Sequence, residues 1–140
     1  MPDFTADIRR FVADYKQQLI KDRRYLHQYP ELGFQEFKTA KFIADRLESL
    51  GFSVQTQVAH TGVVGLWPGN GDGPCLAFRA DMDGLELEET SGVDYRSKNP
   101  GVMHACGHDG HVAILLGLAK WLTERKTPFP GPAKLIFQPG

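Results

Sequence analysis

Apolar residues recur at helical spacing from the start of the chain. Ile8, Phe11, Val12, Tyr15, Leu19 and Leu26 fall three, four and seven residues apart, which predicts a helix from about Thr5 to Tyr29. Pro30 ends it, because the residue before a proline is pushed out of the α region. After the turn PELGFQE, a second helix is predicted from about Phe34 to Leu50, with Phe37, Ala40, Ile43, Ala44 and Leu47 on one face and Gly51 as its stop. The period then changes. Phe52 to Val58 (FSVQTQV) alternates apolar and polar, as a half-exposed strand does, and Gly62 to Pro68 (GVVGLWP) forms a second short strand. GNGDGP is a turn cluster. Cys75 to Asp81 (CLAFRAD) is more continuously apolar, which predicts a third strand at the centre of the sheet. Residues 84–101 (GLELEETSGVDYRSKNPG) are polar and irregular. A third helix is predicted from Asp109 or Gly110 to Arg125, then a loop TPFPGP, then a fourth strand Ala133 to Phe137 (AKLIF).

The order α-α-β-β-β-loop-α-β argues for the α/β class, a mainly parallel sheet with flanking helices. In such sheets functional loops lie just beyond the carboxyl ends of strands. Phe137 stands three residues before Gly140, so a site and an open sheet edge are expected there. The 140 residues are the size of one domain, and no internal repeat is visible. Sixteen basic against 17 acidic residues give a net charge of -1, so the chain offers nucleic acid or an anionic membrane no electrostatic attraction. The most apolar stretch, Val112 to Leu122, is too short to span a bilayer and contains Lys120. MPDFTADIRRF lacks the apolar segment of a secretory signal, so the expected compartment is the cytoplasm.

Two cysteines are too few for a disulfide framework. Cys75, within PCLAF, reads as a packed core residue. Cys106 lies in His104-Ala105-Cys106-Gly107-His108-Asp109-Gly110-His111, which holds three of the five histidines. Thiolate and imidazole are the usual ligands for zinc and related metals. Gly107 and Gly110 allow the backbone to bend so that side chains converge, and the helix that follows favours a thiolate at its N-terminus. Arg79-Ala80-Asp81-Met82-Asp83 ends the third strand, and alternation puts Asp81 and Asp83 on one side. These carboxylates could ligate a metal, orient a ligating histidine, or cap a turn. A Cys-x-His pair alone also suits a surface loop. His27 reads as packed or surface, His60 as a loop residue, Glu86, Glu88 and Glu89 as a solvated charge run, and Trp121 as core.

Four stretches carry a resemblance: RRYLHQYPELGFQEFKTAKFI, TGVVGLWPG, FRADMDGLELEE and NPGVMHACGHDGHVAILLGLA, with AKLIFQPG after them. Over nearly all of the chain after about residue 20, the sequence resembles the M20 metallopeptidase family in its amidohydrolase branch, which includes hippurate hydrolases, N-acyl-amino-acid amidohydrolases and auxin-conjugate hydrolases. The resemblance implies a zinc-peptidase-like catalytic domain with two divalent ions, zinc or manganese, with cobalt or nickel also suited to the ligands. It makes Cys106 and His108 metal ligands, with Cys106 bridging the ions. Asp83 becomes the catalytic aspartate held beside them, and Asp81 stands where other branches place a histidine ligand. His104, Asp109 and His111 support the site without binding the metal.

Where the family usually reads MDALPI, this chain has Met82-Asp83-Gly84-Leu85-Glu86-Leu87, a change in a loop on the substrate side. Family members continue past FQP with a glutamate pair, one of them the general base, then further histidines and an inserted dimerisation domain. Residues 1–140 therefore correspond to the N-terminal part of such a domain, without the inserted domain and the C-terminal part. The expected activity of the complete enzyme is hydrolysis of the amide bond of N-acyl amino acids, hippurate-like, by a protein able to form homo-oligomers. The 140-residue chain by itself is expected to be inactive. The rival reading is a non-catalytic truncated remnant or partner-binding module that keeps the fold. Redox sensing through Cys106 is weaker, since no resolving cysteine is close in sequence.

Overall fold

The computed structural model describes residues 4–125 and 129–140. Among the described residues, three helices and four strands follow the expected order: α1 (Thr5–Gln28), α2 (Phe37–Ser49), β1 (Ser53–Val58), β2 (Gly62–Trp67), β3 (Leu76–Asp81), α3 (His108–Glu124) and β4 (Ala133–Gln138). Each lies within a few residues of its expected bounds. Of the TPFPGP loop, Thr127 and Pro128 fall outside the described residues, as do the first three residues of the N-terminal stretch. No described helix is long and apolar enough to cross a membrane.

The strands form one sheet in the order β1-β2-β4-β3. The α/β class with flanking helices stands, but the expectation of a mainly parallel sheet does not. Only β3 and β4 run parallel, while β1–β2 and β2–β4 are antiparallel. The short connection from Val58 to Gly62 can only make a hairpin, and parallel pairing needs a long crossover. The connection from β3 to β4 is such a crossover, because it contains α3. β3 is not central as expected. It is an edge strand, with Leu76 43% exposed, and Cys75 before it is exposed rather than packed. The open edges are β1 and β3, so the edge expected after Phe137 is filled: β4 is interior, between β2 and β3.

Alternation along β4 shows which face is covered. Ala133, Leu135 and Phe137 are buried, while Lys134 and Gln138 are exposed. Helix α2 packs on β1 and β2, α3 packs on β3 and β4, and α1 lies on α3. Gly65 lets α2 approach the sheet, because a Cβ there would stand 2.9 Å from Leu47 Cδ1. Leu26, Ile43, Leu47, Val63, Met82, Val112, Leu135 and Phe137 form the heart of the core.

Between β3 and α3 runs the irregular segment 82–107. Two short backbone pairings tie it down, Leu32 with Gly84 and Leu85 with Met103. Lys98 N–H donates to Gln28 O at 2.8 Å, and the Asn99 amide donates to Pro30 O at 2.7 Å. The loop is thus anchored to the end of α1.

Leu135→Ala should destabilise the chain by about 2–5 kcal/mol, through lost burial and the cavity left in a close-packed site. Lys134→Ala, one residue away on the exposed face, should change stability by less than about 0.5 kcal/mol. Urea titrations read by circular dichroism measure both; equal losses would contradict the assignment of faces.

Candidate metal centre

β3 ends at Asp81, Asp83 follows it, and α3 begins at His108. Because α3 runs back against the direction of β3, its first turn arrives beside the carboxyl end of that strand. Gly107 makes the entry with φ +87°, a left-handed conformation that costs glycine little. Gly110 has an ordinary helical backbone, so only the first of the two expected glycine bends exists.

His108 is held between two carboxylates. Its Nδ1 lies 2.8 Å from Asp83 Oδ1 and 3.2 Å from Asp83 O, and its Nε2 lies 3.4 Å from Asp81 Oδ2. His111 Nδ1 approaches Asp81 Oδ1 at 2.6 Å, and the two histidine rings stack with centroids 5.5 Å apart. The Cys106 thiol donates to Asp83 O, with Sγ 3.8 Å away. Asp81, Asp83, Cys106, His108 and His111, all singled out in the sequence, therefore share one end of the sheet. Among the described residues, the set whose ligand atoms lie within 4.8 Å of one another is Asp81, His108 and His111. The donors fit a divalent ion, with imidazole and carboxylate oriented toward a common point and an exposed thiol at the rim.

Two titrating groups feel this arrangement. Burial pushes the Asp81 carboxyl up, but the His111 hydrogen bond and the charge of His108 outweigh it and hold it below its usual value. Burial, the largest influence, lowers His104, a shift opposed by Asp109. His104 is 3% exposed, and neither of its ring nitrogens has a partner.

Behind the centre lies a buried polar group that joins His27, expected to be packed or at the surface, Asp109, expected to support the site, and Glu89, expected in solvent. His27 is buried on α1, with Nδ1 2.7 Å from Asp109 Oδ2 and Nε2 3.1 Å from Glu89 Oε1. Arg23 Nε donates to the same Asp109 oxygen at 3.1 Å. Glu89 is not part of a solvated run, because its side chain is 3% exposed. It accepts from Ser91 and from the Ser97 N–H. Burial alone would raise its pKa; those hydrogen bonds and His27 overcome it and hold the carboxyl at about 2. The pattern Glu86-Leu87-Glu88-Glu89 looks like surface, and nothing in it marks the one acid that faces inward.

Glu36 was also passed over. Fully buried, it accepts from Thr61 Oγ1 at 2.6 Å and from the Gly140 N–H at 2.9 Å. Gly140 in turn lies against Gly33 and beside Asp83: a Cβ built on it would stand 3.4 Å from Asp83 Oδ2. The backbone leaving β4 therefore passes along the centre. The available signal was a charged residue inside the apolar turn GFQEF.

The chain is similar to known proteins over nearly all of its length. The profile of peptidase family M20/M25/M40 matches residues 77–140, which include both arms of the centre. Thermostable carboxypeptidase 2 of Saccharolobus solfataricus is 46% identical over 138 residues, 98% of this chain and 35% of that protein. The N-acyl-L-amino acid amidohydrolase of Geobacillus stearothermophilus is 44% identical over 132 residues, covering 94% and 36%. The crystal structure of a Bacillus subtilis dinuclear metal binding peptidase from the M20 family superposes with a TM-score of 0.85 at 40% identity, over 91% of this chain and 36% of that one. The chain thus spans about a third of the length of the relatives it matches.

The depressed Glu89 carboxyl has a consequence for acid stability. Its contribution is fully present above its ordinary value of 4.5 and is lost as pH falls toward about 2. Across that window the wild type should lose more stability than Glu89→Gln, which has no charge to lose. Denaturation midpoints measured at successive pH values test this; parallel curves would place Glu89 in solvent.

Proposed function

The chain belongs to the M20 peptidase family, and from that premise we propose that it carries the first part of a metal-dependent amidohydrolase domain acting on N-acyl amino acids, with Cys106 and His108 as metal ligands and Asp83 as the catalytic aspartate. The observation that carries this reading is the posture of His108. Its Nδ1 is engaged by Asp83 at 2.8 Å, as histidine ligands engage a carboxylate through the nitrogen that does not bind metal. That fixes the ring orientation and leaves Nε2, which faces Asp81 Oδ2 at 3.4 Å, as the nitrogen turned toward a metal. Asp83 also receives the Cys106 thiol on its carbonyl, so one residue sets the positions of both ligands. A divalent metal bound there polarises a carbonyl oxygen and lowers the pKa of a coordinated water.

The chain's own residues would hold and orient. Asp81 receives His111 and His108, and Asp83 receives His108, so both carboxylates orient the imidazoles beside them. We assign no general base among the described residues. The substrate class rests on the amidohydrolase relative; the carboxypeptidase relative leaves peptides as the alternative amide. The exposed thiol of Cys106 suits a reducing compartment, in keeping with a cytoplasmic location.

Two outcomes follow. Cys106→Ser should weaken zinc or manganese binding to the 140-residue chain by more than about tenfold, since even the loss of an outer partner costs 10–100-fold. Equilibrium dialysis reads this, and equal affinity in both proteins would remove Cys106 from the ligand set. On N-benzoylglycine and N-acetyl amino acids with added metal, the chain alone should turn over at least about 10²-fold below an ordinary rate of about 10 per second, for want of a general base. A rate near that ordinary value, abolished by Cys106→Ser, would show that the base lies within these residues.

A further inference from the structure

Within the reading above, one buried residue outside the ligand set has contacts that ordinary packing does not require. His27 uses both ring nitrogens, each toward a carboxylate from a different part of the chain. Asp109 opens α3 and is the neighbour of His108. Glu89 belongs to the segment 82–107 that leads to Cys106. The His27 side chain is 6% exposed, and its partners are 3% and 0% exposed. Charges so buried persist only when paired, and removing one partner leaves the others uncompensated. Ionised carboxylates only accept hydrogen bonds, so both contacts are satisfied when both ring nitrogens carry protons. His27 then bridges the two carboxylates, and Arg23 donates to Asp109 beside it.

We propose that His27 is a positioning residue for the metal-binding turn. Through Asp109 it fixes the start of α3 that presents His108, and through Glu89 it fixes the loop that delivers Cys106. Its position on α1 makes the rigid helical layer the reference against which the two ligands are registered.

Two substitutions separate the arms. His27→Asn keeps a donor near Nδ1 and so retains Asp109. His27→Gln reaches toward Nε2 and so retains Glu89. Leu135→Ala serves as a destabilised control elsewhere in the core. Amide hydrogen exchange of the 140-residue chain is the main readout. In His27→Gln, residues 103–111 should exchange at least about tenfold faster while the amides of β4 keep their protection. His27→Asn should instead loosen residues 85–98. The control should lower protection throughout. Metal affinity measured on the same samples should fall about 10–100-fold in His27→Gln. Uniform loss of protection in the His27 variants, or none, would overturn the proposal. If neither variant folds, hydrogen exchange of the wild type decides: residues 85–98 and 103–111 are expected to open together with the end of α1, and opening of both segments independent of α1 would overturn it. If the wild type binds no metal, the ligand assignment fails by itself, and the exchange pattern still decides the role of His27.

Discussion

The parallel pairing of β3 with β4 is the constraint on which the rest depends. Two parallel neighbours cannot be joined by a turn, so the chain must return across the sheet before β4 can form. That return is α3, and its direction puts its first turn beside the carboxyl end of β3. His108 and Asp81 are 27 positions apart, yet the crossover alone brings them to one edge. The remaining pairings of the sheet are antiparallel, a local hairpin between β1 and β2 and a long-range pairing of β2 with β4, and they supply a platform without creating any such meeting point.

A meeting point is not yet a site, because the segment 82–107 is irregular and has little apolar surface of its own to bury. Polar ties to the first helix and the turn after it provide the missing order. Gln28, Pro30 and Glu31 accept from Lys98, Asn99 and Gly84. His27 and Glu89 form a further buried tie. Burying these groups costs free energy, and the cost is tolerable because each of them is hydrogen-bonded. His104 is the exception, with two unpartnered nitrogens in the same interior. A buried polar side chain without a partner is the sort of feature found near functional sites.

Most of this was legible in the sequence, and the failures have two causes. Helix and strand positions followed from periodicity, which reports burial on one face directly. The cluster of Cys106 and His108 with the two aspartates was readable because glycines and ligand types crowd into a few positions. The place of β3 in the sheet was misread because apolar content was taken as a sign of a central strand. In fact β3 is an edge strand, and Leu76 at its start is left 43% exposed although it shares a face with buried Ala80. Glu36 and Glu89 were missed because a buried carboxylate is defined by partners far away in sequence: Gly140 and Thr61 for one, His27 for the other. No local pattern encodes such pairings.

The central claim is that one thiolate and one imidazole from the turn before and at the start of α3 hold the metal. X-ray absorption at the zinc edge of the zinc-loaded 140-residue chain measures this most directly. The account predicts one sulfur scatterer at about 2.3 Å together with nitrogen or oxygen at about 2.0–2.1 Å, the sulfur vanishing in Cys106→Ser. A shell of nitrogen and oxygen alone in the wild type would place the metal on Asp81, His108 and His111 and contradict the role given to Cys106.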